Sequence, residues 1–155
     1  MSSRPYIHCF MLTSIDGKVT GKYLSRPECK PYIDKFIEMD KKFDTQGFIY
    51  GKNTMKESYS KFFLDKLPTL EADNIEQNFD ISDDFTPHKD GKYYSIVYDR
   101  KGTLICKNNH LPKQENKKII IVLTEQVSKD YLLYLRSIKC NYIMAGKDVM
   151  DIKES

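Results

Sequence analysis

The run Ile119-Ile120-Ile121-Val122-Leu123 constrains this chain more than any other stretch: four β-branched residues and a leucine, with no charge among them. β-Branched side chains suit a pleated surface, and a continuous apolar run belongs to a strand buried on both faces, as in a parallel sheet. Ser128 then opens a helix with Tyr131, Leu132, Leu135 and Ile138 on one face. Asn141 to Ala145 is extended again and Gly146 ends it. Strand, helix, strand in that order implies a βαβ crossover and a largely parallel sheet. The fold class is α/β.

The rest of the chain supplies further elements of the same kind. Pro5 to Leu12 reads as a strand, bounded by proline and by a loop over Thr13 to Arg26 that holds Gly17, Gly21 and Ser25. From Pro31 to Phe43 the positions Ile33, Phe36, Ile37 and Phe43 keep helical spacing, and Pro31 suits a first turn. Gly47 to Gly51 is a brief strand, after which Asn53 or Thr54 caps a short helix anchored by Met55, Tyr59 and Phe62. Tyr93 to Tyr98 is rich in β-formers, Asp99 to Gly102 carries turn chemistry, and Thr103 to Cys106 is extended. Val149 to Ser155 resembles the start of a helix with Asp148 as its cap, so the sequence reads as interrupted.

At 155 residues the expectation is a single domain, with a long, acidic, irregular insertion at about 64–91. The net charge of +3 is small and its lysines are mixed with acids, which argues against a nucleic-acid footprint. No apolar run approaches the roughly 20 residues that span a bilayer, and Met1 to Pro5 lacks the apolar core of a secretory signal. A cytoplasmic chain without membrane partners is expected. Cys9, Cys29, Cys106 and Cys140 form no C-x-x-C pair and no metal-ligand spacing, so no metal is expected. Cys9 and Cys140 lie in apolar runs and read as small core residues, and His8 as a core or edge histidine. His88 and His110 are equally isolated, which leaves no nucleophilic triad.

Three polar clusters fall just past candidate strand ends, where open α/β sheets bind ligands. Gly51-Lys52-Asn53-Thr54 joins a strand to a helix, where glycine admits a phosphate and the helix start attracts it. An ordinary glycine turn with a capping threonine explains the same residues, and neither nucleotide-loop spacing is present. Thr124-Glu125 occupies the equivalent place after the next strand; Thr124 meets a cofactor phosphate or ribose, or caps the following helix. Asp16 and Lys18 flank Gly17, and either form a structural turn, pair with each other, or relay a proton and neutralise a phosphate.

In their order these clusters resemble the dihydrofolate-reductase-like superfamily, in particular its riboflavin-biosynthesis pyrimidine reductases. The residues that carry the resemblance are Pro5-Tyr6-Ile7, Thr13 to Lys18, Tyr50 to Met55, Ser95 to Leu104, Leu123 to Ser128 and Tyr142 to Asp148. It spans nearly the whole chain. It implies a mainly parallel sheet flanked by helices that binds NADPH across the strand ends. The implied activity is hydride transfer to the sugar carbon of an open ribosylimine form of a phosphoribosylamino-pyrimidine. By the same resemblance Asp16 is the catalytic residue, and Lys18 and Ser14 face the substrate. Gly51, Asn53 and Thr54 line the cofactor diphosphate, Thr124 and Glu125 its adenosine end, and the full-length protein is a homodimer.

Members of the family continue past the position of Ser155 into a helix, a strand and a glycine-rich loop that clamps the cofactor. The resemblance therefore implies a domain incomplete at its C-terminus, part of a longer product. Two alternatives stay open. One is a non-catalytic, truncated remnant or binding module of the same fold. The other is a paralogous reductase of a different pyrimidine- or pterin-like compound, because the 64–91 segment replaces a short substrate-side piece. A folate-type reductase fits less well, since Asp16 comes early and the chain has no tryptophan.

Overall fold

The computed structural model describes residues 5–70, 78–89, 93–112 and 116–151. Their contacts divide into two units, Met1–Asp44 and Thr45–Ser155.

In the second unit the strands are β1 (Gly47–Gly51), β2 (Phe63–Leu64), β3 (Tyr93–Tyr98), β4 (Ile105–Cys106), β5 (Lys117–Leu123) and β6 (Asn141–Met144). Four of them form one sheet in the order β1-β3-β5-β6, and every neighbouring pair is parallel. The antiparallel pair β2–β4 stands apart from it. The mainly parallel α/β architecture expected from the isoleucine run is thus present, and that run is a central strand.

Register places Val97, Ile121 and Tyr142 side by side on one face of the sheet. They share a core cluster with Met55, Phe62, Leu104, Cys106, Leu111, Tyr131, Leu132 and Leu135. The described residues of the connections that join this cluster therefore pack on that face. Ile49, Ile96, Ile120, Val122 and Ile143 belong to the opposite face by the same register and lie outside the cluster. A parallel strand apolar on both sides explains why the sequence shows no alternation there.

Two helices serve this unit. In α3 (Lys129–Ser137) the Ser128 hydroxyl accepts the Tyr131 N–H, Asp130 lies in the first turn and Arg136 in the last, both favourable to the helix dipole. α3 ends through Lys139 at φ +52°, with the Cys140 N–H bonded back to the Leu135 carbonyl, a left-handed cap that usually takes glycine. In α2 (Lys52–Ser58) the expectation of a side-chain cap at Asn53 or Thr54 is corrected: Gly51 holds the cap position and no side chain bonds there. Met55 and Phe62 are buried as anchors and Tyr59 packs against the cluster.

Over its described residues the expected insertion holds no helix or strand beyond Leu64, yet it is packed. Leu70, Phe79, Ile81 and Phe85 pack against the core, and Phe85 exchanges two backbone hydrogen bonds with Tyr142, at 3.0 and 2.9 Å. The Met144 N–H donates to Asp84 Oδ1 at 2.7 Å and the His88 N–H to Asn141 Oδ1 at 3.1 Å. Residues 79–88 thus form a strap along the outer edge of β6, because an uncovered edge leaves a row of unmet backbone groups. The remainder of the expected insertion, 71–77 and 90–91, lies outside the described residues.

In the first unit α1 (Lys30–Asp40) starts near the expected Pro31 but stops three residues before Phe43. Pro5 to Leu12 is not a strand. Phe10 stacks on Phe36 of α1 with centroids 4.6 Å apart, and His8 meets Phe43, just beyond the helix, at 4.8 Å. Consequently Cys9 and His8 are exposed rather than core residues. Val149 to Asp151 is not helical; the rest of that expected helix, from 152 on, lies outside the described residues. No described helix is long and apolar enough to cross a membrane.

Candidate functional site at the strand ends

Because the four strands run the same way, they end on one side of the sheet, at Gly51, Tyr98, Leu123 and Met144. Neighbouring strands lie about 4.8 Å apart, so Gly51 and Val122, level with each other in the register, stand roughly 10 Å apart with Tyr98 between them.

Gly51, Asn53 and Thr54 are exposed. A Cβ added at Gly51 meets nothing within 4 Å, so the space beside this strand end is open. Thr124 is different. It is fully buried, and both its N–H (3.1 Å) and its hydroxyl (3.0 Å) donate to the Arg100 carbonyl. It neither caps α3, which Ser128 does, nor presents its hydroxyl to solvent. Glu125 is half-buried and its N–H donates to the Gly146 carbonyl at 3.2 Å. Together these bonds lace the ends of β3, β5 and β6.

The residue that organises this end is Asp99, the first residue of the turn after β3. Its carboxylate accepts the N–H groups of Thr103 and Leu104, each at 2.6 Å, and the Thr103 hydroxyl at 2.9 Å. The Gly102 N–H closes the turn on the Asp99 carbonyl at 2.9 Å. Glycine is required at 102: its φ is +63°, and a Cβ there would sit 2.6 Å from Val127 and Tyr131. The turn is thereby pressed onto the start of α3, and Arg100 and Lys101 are left exposed at the middle of the strand-end row. An acid directly after a strong strand, with glycine three residues on, was the available signal.

Lys52 follows β1, Arg100 and Lys101 follow β3, and Lys147 follows β6, all exposed. Among the described residues none of these four cations is in an ion pair. Glu125, Asp148 and Asp151 are exposed or half-exposed acids nearby in sequence, and Asp148 accepts from Gln126.

Ser14, Asp16 and Lys18 are brought together in the first unit, on a turn of their own. The Gly17 N–H donates to the Ser14 carbonyl at 2.9 Å, and Gly17 takes φ +78°. Asp16 accepts the Ser14 hydroxyl at 2.5 Å and pairs with the Lys18 ammonium at 2.7 Å. The Lys18 ammonium, then the Ser14 hydroxyl, hold the Asp16 carboxyl below its usual range. The pair is solvent-exposed, so water screens it and it stabilises the turn only weakly. A turn and a carboxylate–ammonium pair are both present here.

Compared with family models, with curated proteins and with solved structures, the chain matches none.

Proposed function

We propose that this chain is an NADPH-dependent reductase of the pyrimidine-reductase kind, acting in the cytoplasm as a homodimer. The observation that carries the reading is the strand-end row: four exposed cations, Lys52, Arg100, Lys101 and Lys147, without an ion pair among the described residues, beside the open backbone at Gly51. That combination suits a ligand rich in phosphate, whose charges need cations and whose approach needs a bare backbone. Gly51, Asn53 and Thr54 would hold the diphosphate, and Glu125 would lie toward the adenosine end. Thr124 contributes by holding the Arg100 carbonyl, which keeps the cationic turn in place. NADPH would supply the hydride. The family resemblance alone assigns substrate orientation or proton handling to Asp16, and contact with the substrate to Lys18 and Ser14.

A second reading is a binding module of the same fold without turnover. It is favoured by the Asp16 carboxylate and the Thr124 hydroxyl both being engaged by the chain's own groups.

One titration separates these outcomes. NADPH is expected to bind saturably, followed by the fluorescence of its nicotinamide. Gly51→Ala adds a Cβ that meets no atom within 4 Å, so it should weaken binding about tenfold without moving the urea midpoint. Absence of saturable binding to the unmodified chain overturns the reductase reading. Binding without oxidation of NADPH in the presence of ribosylamino-pyrimidine substrates selects the module.

A further inference from the structure

The strap along β6 ends at His88, and its hold there depends on which way one side-chain amide is turned. Asn109 Oδ1 accepts from the Lys118 ammonium at 3.4 Å, and Asn109 Nδ2 donates to the Lys139 carbonyl at 3.3 Å. Turning the amide over would set its nitrogen against the ammonium and its oxygen against the carbonyl, so these two neighbours fix its orientation. The same Nδ2 lies 3.0 Å from His88 Nε2. Because Nδ2 only donates, Nε2 accepts there, and the ring is neutral with its proton on Nδ1. The backbone around the ring joins the same network. The His88 N–H donates to Oδ1 of the buried Asn141, and the Tyr94 hydroxyl donates to the His88 and Lys89 carbonyls, each at 3.1 Å.

We propose that His88 is a pH-sensitive latch: its neutral ring holds the end of the strap to Asn109, and protonation of the ring releases it. A protonated imidazole carries an N–H on both nitrogens, so Nε2 would face Nδ2 donor to donor. Asn109 cannot relieve this by turning over without opposing Lys118 and Lys139. The charged groups around the network add to the cost of a positive ring. Lys118 of β5 reaches the same amide, and Lys89 follows His88 on the strap. The strap's acids are engaged elsewhere: Asp80 accepts from Ser82, Asp83 from the Asp80 N–H, and Asp84 from the Met144 N–H. His110, next to Asn109, bonds through Nδ1 to the Leu111 carbonyl at 3.2 Å. That nitrogen donates in either charge state, so titration of His110 leaves its contact intact. The released ring takes a proton that the latched ring cannot carry without losing its bond. The latch is therefore complete above the ordinary histidine range, near about pH 6.5, and weakens as pH falls through it. It does not depend on what the strand-end row binds.

The nitrogen NMR shifts of the His88 ring at about pH 8 test the tautomer directly. The proton is expected on Nδ1, and a ring protonated on Nε2 overturns the proposal. Hydrogen exchange, expressed as protection relative to the unstructured chain at each pH, tests the release. From about pH 8 to about pH 5.5, a range above ordinary carboxylate titration, protection of the His88 amide is expected to fall at least about fivefold. Ile121, in the centre of the sheet, is expected to keep its protection. His88→Gln offers a neutral amide oxygen in place of Nε2, so the amide at position 88 should stay protected throughout. His110→Gln should respond to pH as the wild type does. Constant protection in the wild type, or an equal fall at Ile121, overturns the proposal. So does a fall that persists in His88→Gln or that vanishes in His110→Gln. If His88→Gln does not fold, the wild-type tautomer and protection decide: a proton on Nδ1 together with a fall confined to the strap supports the latch, and any other result overturns it.

Discussion

Asp99 is 2% exposed, and its carboxylate is the acceptor for two backbone N–H groups and one hydroxyl. Replacing it by alanine strands those donors near the core. Asp99→Ala is therefore expected to destabilise the chain by about 3 kcal/mol, read as a fall in the urea midpoint; a loss under about 1 kcal/mol would show that water replaces the carboxylate. Cys140 makes a different kind of statement. Its burial pushes the thiol from the ordinary 9.0 up to about 12. Between those values the unfolded chain releases the proton while the folded chain keeps it. Stability is thus complete below pH 9 and falls as pH rises toward 12, by up to about 1.4 kcal/mol per pH unit. Cys106 and Tyr131 are pushed up by burial too, so the slope has several contributors. Cys140→Ala should make the alkaline decline measurably shallower in urea melts between about pH 8 and pH 10.5. An unchanged slope would mean that the thiol ionises in the folded state. Cys140 as a core residue was legible from its apolar run; Cys9, in an equally apolar run, was not, because burial depends on what packs opposite.

The strap shows how an element can be missed. Arg136 on α3 lies over the Phe79 ring at 3.8 Å and the Phe85 ring at 4.7 Å, and its Nε donates to the Tyr142 hydroxyl at 2.8 Å. The guanidinium therefore clamps the strap to α3 and β6 at once. Arg136→Ala should loosen it locally, raising hydrogen-exchange rates at Tyr142 and Met144 about tenfold while Ile121, in the centre of the sheet, stays unchanged. Equal acceleration at all three would instead indicate global destabilisation. In sequence the strap is a few apolar residues among acids, which reads as loop because its partners come some sixty residues later, as Asp84 and Met144 do. The end of α3 was hidden for another reason: Lys139 occupies a left-handed position without the glycine that would mark it. By contrast, β3, β5, α3 and β6 were readable because a buried parallel strand and a capped amphipathic helix are local patterns.

At the scale of the molecule, every buried side chain among the described residues lies at or beyond Met55, in the second unit. Hydrophobic burial is the main favourable contribution to folding, so that unit carries its own core. Residues 45–155 expressed alone are expected to unfold in a single cooperative urea transition. A gradual, non-cooperative transition would show that the first 44 residues supply something essential to the core.

The sequence alone determined the α/β class, the βαβ unit from Ile119 to Ala145 and the turn at Asp16-Gly17, since each follows from side-chain periodicity or from backbone preference within a few residues. Tertiary structure decided the rest: which segment covers which sheet edge, that the Thr124 hydroxyl is spent on the Arg100 carbonyl, and that Asp99 holds the strand-end turn. Those outcomes depend on which donors and acceptors meet across the fold when water is excluded, and no local pattern encodes that meeting.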